Sequence, residues 1–166
     1  MMFSSAEELA YYLDSQSLVE GPSRDARLSD PITNFSLFSH GLGTDGGMIP
    51  LGFNYSTRDN ALDFTMSHID MIHSDSFAPS SMSRFYSCNT GTAGADSFAQ
   101  KWATMAGGVT TAFSGKSDYT YVAPQGLYYK ALRRLWSRQT GIYPMGGPQV
   151  SFPTAAIGAE LLTFYP

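Results

Sequence analysis

One thiol and one imidazole set the terms for this chain. His40-Gly41 follows the short apolar run Phe35-Ser36-Leu37-Phe38-Ser39, and Cys88 follows Arg84-Phe85-Tyr86-Ser87, 48 positions later. A catalytic thiol needs a base that makes and holds the thiolate, and donors for the oxyanion that forms after attack. A His followed by Gly on a loop leaving a strand supplies the base and a backbone N–H together. Gly also lets a substrate backbone come close. Cysteine-peptidase chemistry is what such a pair offers.

The order of these residues narrows the choice. The chain has a single Cys and three His (His40, His68 and His73), and every His precedes the Cys. A papain-type arrangement needs its His after the Cys. A serine hydrolase of the strand–elbow–helix kind would carry G-x-S-x-G, which this sequence lacks. If Cys88 is a nucleophile, its base comes from upstream.

The other titratable residues read more plainly. His68 and His73 are five positions apart, a poor spacing for a shared metal. With one Cys and no His-x-x-x-His pair, neither zinc nor any other metal or cofactor is expected. Both are expected to be structural, with His73 near the end of a helix and facing its dipole. Asp45, Asp70, Asp75 and Asp118 are candidates to orient His40 or line a specificity pocket. Asp45 and Asp118 are favoured because they fall on loops expected near the catalytic edge; the plainer reading of each is a solvated loop residue. Lys130, Arg133, Arg134 and Arg138 share one face of a predicted helix, which reads as a solvated face rather than an anion cleft.

Composition bounds the class. The 166 residues fit one domain, with 43% hydrophobic and 14% aromatic residues excluding a disordered tail. A net charge of −4 and a pI near 5.2 argue against broad nucleic-acid binding. A single Cys excludes an internal disulfide framework. No apolar run has the length of a membrane helix, and Met1 to Glu8 lacks the pattern of a signal peptide. The expected location is cytoplasmic, or a target cell reached as part of a larger secreted protein.

The elements that must position the pair follow from periodicity. Ser5 to Leu13 predicts a short capped helix, and Ser15 to Pro31 a loop. Ile32 to Ser39 predicts a buried strand leading to His40, and Gly41 to Gly52, with five glycines, a flexible surface loop. Leu62, Met66, Ile69 and Ile72 predict a helix over 57–73, followed by a Ser/Pro loop over 74–83. Ser83 to Ser87 predicts the strand that delivers Cys88. A helix over 95–106 stopped by Gly107, a strand over 109–113, a turn over 114–118 and a third helix over 126–138 come next. The proline- and glycine-rich stretch 141–166 reads as an irregular apolar tail over a core of 32–138. Strand and helix in alternation predict an α/β domain with a mostly parallel sheet, which brings the carboxyl ends of the His40 and Cys88 strands to one edge.

On these residues the chain resembles the caspase-like cysteine peptidases, the broad group of caspases, metacaspases, clostripain-like and gingipain-like proteases and separase. Leu37-Phe38-Ser39-His40-Gly41 matches their strand ending in His-Gly, and Phe85-Tyr86-Ser87-Cys88-Asn89-Thr90-Gly91 their strand ending in Cys. The stretch from Cys88 to Gly115 looks most like bacterial caspase-like domains within large secreted proteins and toxins. The resemblance covers roughly residues 32 to 122. It implies a caspase-like sheet flanked by helices; the family usually has further strand–helix units before the His-Gly strand, so either the sheet is trimmed here or the domain is cut from a longer polypeptide. It also implies a cysteine endopeptidase of the effector, toxin or self-processing kind, acting on a protein or peptide. Cys88 would be the nucleophile, His40 the acid–base, and the N–H groups of Gly41 and Cys88 the oxyanion hole. A toxin would imply a cognate inhibitor, an immunity protein, that covers the cleft. Group members that cleave after Arg or Lys often carry Asp just before the Cys; Tyr86 and Ser87 stand there, so basic specificity by that route is not expected. Two other functions remain open on the same residues: a non-catalytic caspase-like binding module, and a Cys-dependent acyl transferase or deamidase.

Overall fold

Three parallel strands carry the molecule. β1 (Ile32–Leu37), β4 (Phe77–Phe85) and β5 (Val109–Ser114) lie side by side, and β8 (Glu160–Phe164) closes the sheet antiparallel to β5. The computed structural model describes residues 4–15, 22–42, 48–51, 60–119 and 152–166. The remaining elements are α1 (Ala6–Asp14), α2 (Arg24–Ser29), β2 (Met48–Pro50), β3 (Asp63–Thr65), α3 (Met66–Ile69), α4 (Phe98–Ala106), β6 (Ser117–Asp118) and β7 (Thr154–Ala155). The protein is thus a mixed α/β domain whose central sheet is mostly parallel and flanked by helices, as the alternation of strand and helix predicts. Among the described residues no helix is long and apolar enough to cross a membrane.

Local sequence explains the helices. Ser5 caps α1 by accepting the Glu8 N–H at 3.2 Å, and Ser97 caps α4 by accepting the Gln100 N–H at 3.2 Å. Gly107 ends α4 in the left-handed region, with φ at 63°, where a side chain would be strained. α4 buries Phe98, Ala99, Trp102, Ala103 and Ala106. Trp102, fully buried, is the hub of the core. Its ring meets Phe35 of β1 at 5.0 Å, Phe85 of β4 at 5.1 Å and Phe77 at 5.6 Å, and its Nε1 donates to the Ser83 hydroxyl at 2.8 Å. Leu9 and Leu13 of α1, Ile49 of β2, Phe64 of β3 and Ile69 of α3 complete this core.

Several predicted elements differ. The stretch read as a loop before Pro31 holds the short helix α2. The stretch read as a helix over 57–73 is not one: 52–59 lie outside the described residues, and 63–65 pair with β2 as a strand. The His68 imidazole then accepts the Thr65 N–H at 2.9 Å, which starts α3 there. Ile69 and Ile72 do reach the core, but from a single turn and its exit. The Ser/Pro stretch after Ser74 becomes a strand from Phe77 onward. Ser81 and Ser83 are buried there, small enough to admit α4 and its following turn. Between Ile32 and Asn34 of β1, β4 advances from Phe77 to Met82, and Pro79 sits in that irregularity. Leu42 bridges to Met48, so the predicted surface loop returns into the body at β2. The predicted tail holds β7 and β8, while 141–151 and the predicted third helix, with Lys130, Arg133, Arg134 and Arg138, lie outside the described residues.

A buried carboxylate ties the amino-terminal helices to the sheet. Asp14 accepts from Arg24 Nη1 at 3.1 Å, from the His73 N–H at 2.8 Å and from the Ser76 hydroxyl at 2.8 Å, with His73 Nδ1 at 3.0 Å. His73 is therefore structural, as expected, but its partner is Asp14 rather than a helix dipole.

Trp102→Ala is expected to lower stability by about 3–5 kcal/mol, since the cavity opens against rings from both β1 and β4. Trp102→Phe keeps most of the packing but strands the Ser83 hydroxyl, for about 1 kcal/mol. Urea denaturation followed by circular dichroism measures both; equal losses would contradict a separable hydrogen bond.

Candidate active site

The parallel pairing of β1 with β4 brings His40 and Cys88 level. Leu37 pairs with Phe85, and the ladder closes with the Tyr86 N–H on the Leu37 carbonyl at 2.8 Å. His40 lies three residues beyond Leu37 and Cys88 three residues beyond Phe85. The two loops touch directly. A methyl group on Gly41 would stand 1.7 Å from the Cys88 carbonyl oxygen, 2.7 Å from its carbon and 2.9 Å from its nitrogen. Glycine is required there by contact alone. Ser39, buried, donates its hydroxyl to the Pro50 carbonyl and so pins the His40 loop to β2.

Beyond Cys88 the chain turns sharply. Asn89 adopts a left-handed conformation with φ at 60°, which Asn tolerates better than most residues. Its N–H donates to the Gly115 carbonyl at 2.7 Å, and the Gly115 N–H donates to Thr92 Oγ1 at 3.0 Å. These bonds bring the end of β5 to the Cys88 loop, so three strand ends meet at one edge.

The third strand end supplies residues that sequence reasoning missed. Ser117 donates its N–H to Cys88 Sγ at 3.3 Å and sets its hydroxyl 3.3 Å from the same sulfur. Tyr119 donates its hydroxyl to the Tyr86 carbonyl. Burial, and then the neighbouring Cys88 and Tyr86, push the Tyr119 phenol well above the ordinary tyrosine range, so it stays a neutral donor. The turn over 114–118 was legible as a turn. No local signal says that it folds back onto the sulfur.

Behind the pair lies a stack of rings. Phe38 meets Tyr86 at 4.4 Å and Tyr86 meets Phe152 at 5.4 Å, both nearly coplanar. Tyr86, the middle ring, is almost fully buried, while Phe152 at the end of the stack is exposed. Cys88 itself is half-buried, as is His40. The N–H groups of Gly41 and Cys88 donate to no acceptor among the described residues.

The remaining candidates separate. Asp118 lies on β6 opposite Thr154, next to Ser117 and at the same edge as Cys88. Asp45 falls outside the described residues. Asp70 pairs with Lys101 at 2.7 Å and Asp75 with Arg24, both away from the edge. Among the described residues no three His, Cys, Asp or Glu side chains are grouped to hold a metal. A groove of about 670 Å³ between α3 and α4, lined by Met66, Asp70, Lys101 and Met105 among others, includes none of the three strand ends.

What the edge can do chemically follows from its parts: a partly accessible thiol, an imidazole on the level loop, and two backbone donors with no acceptor among the described residues. No known protein family, curated protein or solved structure matches the chain.

Gly41→Ala is expected to force the His40 loop away from Cys88 and to cost about 1–3 kcal/mol of stability, as overpacking does. Thermal unfolding checks it. A variant that melts with the wild type would show that the two loops do not touch.

Proposed function

We propose that this protein is a cysteine endopeptidase of the caspase-like kind, with Cys88 as nucleophile and His40 as acid–base. The observation that carries the reading is the level placement of the two loops, with Gly41 packed against the Cys88 backbone. In this mechanism the Cys88 proton passes to His40, and the thiolate attacks the scissile carbonyl carbon. The N–H groups of Gly41 and Cys88 take the resulting oxyanion. Collapse breaks the C–N bond, and the leaving amine takes its proton from His40. Water then hydrolyses the thioester and returns the free thiol. Each oxyanion donor of this kind lowers the barrier by about 2.7–4 kcal/mol.

The resemblance supports a protein or peptide substrate, an effector, toxin or self-processing role, and an inhibitor protein that would cover the edge. Tyr86, buried beneath the site with its carbonyl engaged by Tyr119, leaves no acidic side chain at the position where Arg- or Lys-directed members often carry one.

The full chain, expressed as wild type, Cys88→Ala and His40→Ala, tests this by self-cleavage or by cleavage of a peptide library read by mass spectrometry. Cys88→Ala is expected to abolish cleavage, and His40→Ala to lower it roughly 10²–10⁴-fold. Cleavage that persists in both variants would overturn the reading. A changed side-chain mass without chain scission would move it to acyl transfer or deamidation.

A further inference from the structure

The Ser117 N–H donates to the Cys88 sulfur from β6, and the Ser117 hydroxyl lies 3.3 Å from it, where it donates once the sulfur is a thiolate; the mechanism above leaves both unused. An N–H can only donate, so at the Ser117 N–H the sulfur accepts. The Ser117 hydroxyl makes this one contact among the described residues. Neither donor is free to drift. The Asn89 N–H on Gly115 and the Gly115 N–H on Thr92 hold the start of the turn. The Tyr119 hydroxyl on Tyr86 holds its end. On its other side β6 pairs with β7, with Ser117 opposite Ala155, and the Ala156 N–H donates to the Lys116 carbonyl at 3.0 Å.

Fixed donors discriminate between the two states of a sulfur. A hydrogen bond to a charged acceptor is shorter and roughly twice as strong as one to a neutral acceptor. Donors held in place before the thiolate forms need no reorganisation when it does. His40 lies on the β1 loop, level with Cys88, and Ser117 on β6 touches the sulfur, so the two groups come from different strand ends. A proton acceptor on one and fixed donors on the other can act on the sulfur together.

We propose that Ser117 is a positioning residue: its N–H and hydroxyl hold the Cys88 sulfur in one orientation at the edge and stabilise its thiolate, while His40 moves the proton. This rests on the peptidase reading of the His40–Cys88 pair. It adds a role for the turn after β5, and it makes the hydroxyl at 117 a determinant of thiol reactivity.

Cys88 is the only cysteine in the chain, so iodoacetamide reports on it alone. The full-length protein is alkylated across the pH range as wild type, Ser117→Ala, Ser117→Thr and Ser117→Val. Thr and Val differ there only by hydroxyl against methyl. S117A and S117V are expected to react roughly tenfold more slowly than wild type near pH 6, about 1.4 kcal/mol, with profiles displaced to higher pH. S117T is expected to stay within about twofold of wild type. At high pH, where the thiol is ionised in every variant, the deficit is expected to vanish or reverse slightly, since a more basic thiolate is intrinsically the better nucleophile. A residue that merely supported the fold would change the melting temperature without moving the profile. If S117A does not fold, the Thr–Val pair decides. S117V matching S117T across the profile overturns the proposal. So does a folded S117A with the wild-type profile. Wild-type Cys88 that reacts near pH 6 no faster than in concentrated urea would overturn the peptidase reading itself, whereas a fast wild type with an equally fast S117A removes only the role of Ser117.

Discussion

Everything at the candidate site depends on the register of two parallel strands. With Leu37 opposite Phe85, the chain leaves β1 and β4 at the same height, and the residues three positions on share one edge. A slip of one residue would turn every side chain of β1 to the other face of the sheet. Such a slip would carry Phe35 out of the core, where its ring stacks on Trp102 at 5.0 Å. The same ring system therefore fixes the fold and the relative height of thiol and imidazole. Trp102 reaches β1 through Phe35 and β4 through Phe85, so one residue of α4 sets both strands.

Two materials build the edge. Backbone contact brings Gly41 against Cys88, and a set of hydrogen bonds brings the turn after β5 against the same loop. The first admits no side chain at position 41. The second joins Asn89 to Gly115, Gly115 to Thr92, Ser117 to Cys88 and Tyr119 to Tyr86. Phe38, Tyr86 and Phe152 stack beside them, joining the β1 and β4 ends to the segment that leads into β7. Close contact and directional bonds suit a site whose geometry must hold to fractions of an ångström.

The parts legible in the sequence were those set by local pattern. The helix α4 showed as a stripe of Phe98, Trp102 and Met105 with Gly107 as its stop. β1 and the end of β4 showed as apolar runs before His40 and Cys88. Their meeting followed from the alternation of strands and helices. The rest was hidden by contacts between distant residues. Ser81 and Ser83 suggest a loop by composition, yet both are buried because α4 packs over them and Trp102 needs an acceptor. β8 looks like part of a tail until it pairs with β5, where Phe164 meets Thr110. The periodicity of Met66, Ile69 and Ile72 is real, but Asp63 to Thr65 are claimed by β2. Ser117 carries no sign in the sequence that it will face a sulfur.

The partnership between β6 and β7 has a consequence for the timing of assembly. The strand that sets Ser117 beside Cys88 is braced by residues 154–156, which a ribosome adds well after both. A nascent chain that already contains the thiol and the imidazole still lacks the brace. The Ser117–Cys88 arrangement is therefore among the last parts of the edge to be braced as the chain is made, after all three parallel strands have been synthesised.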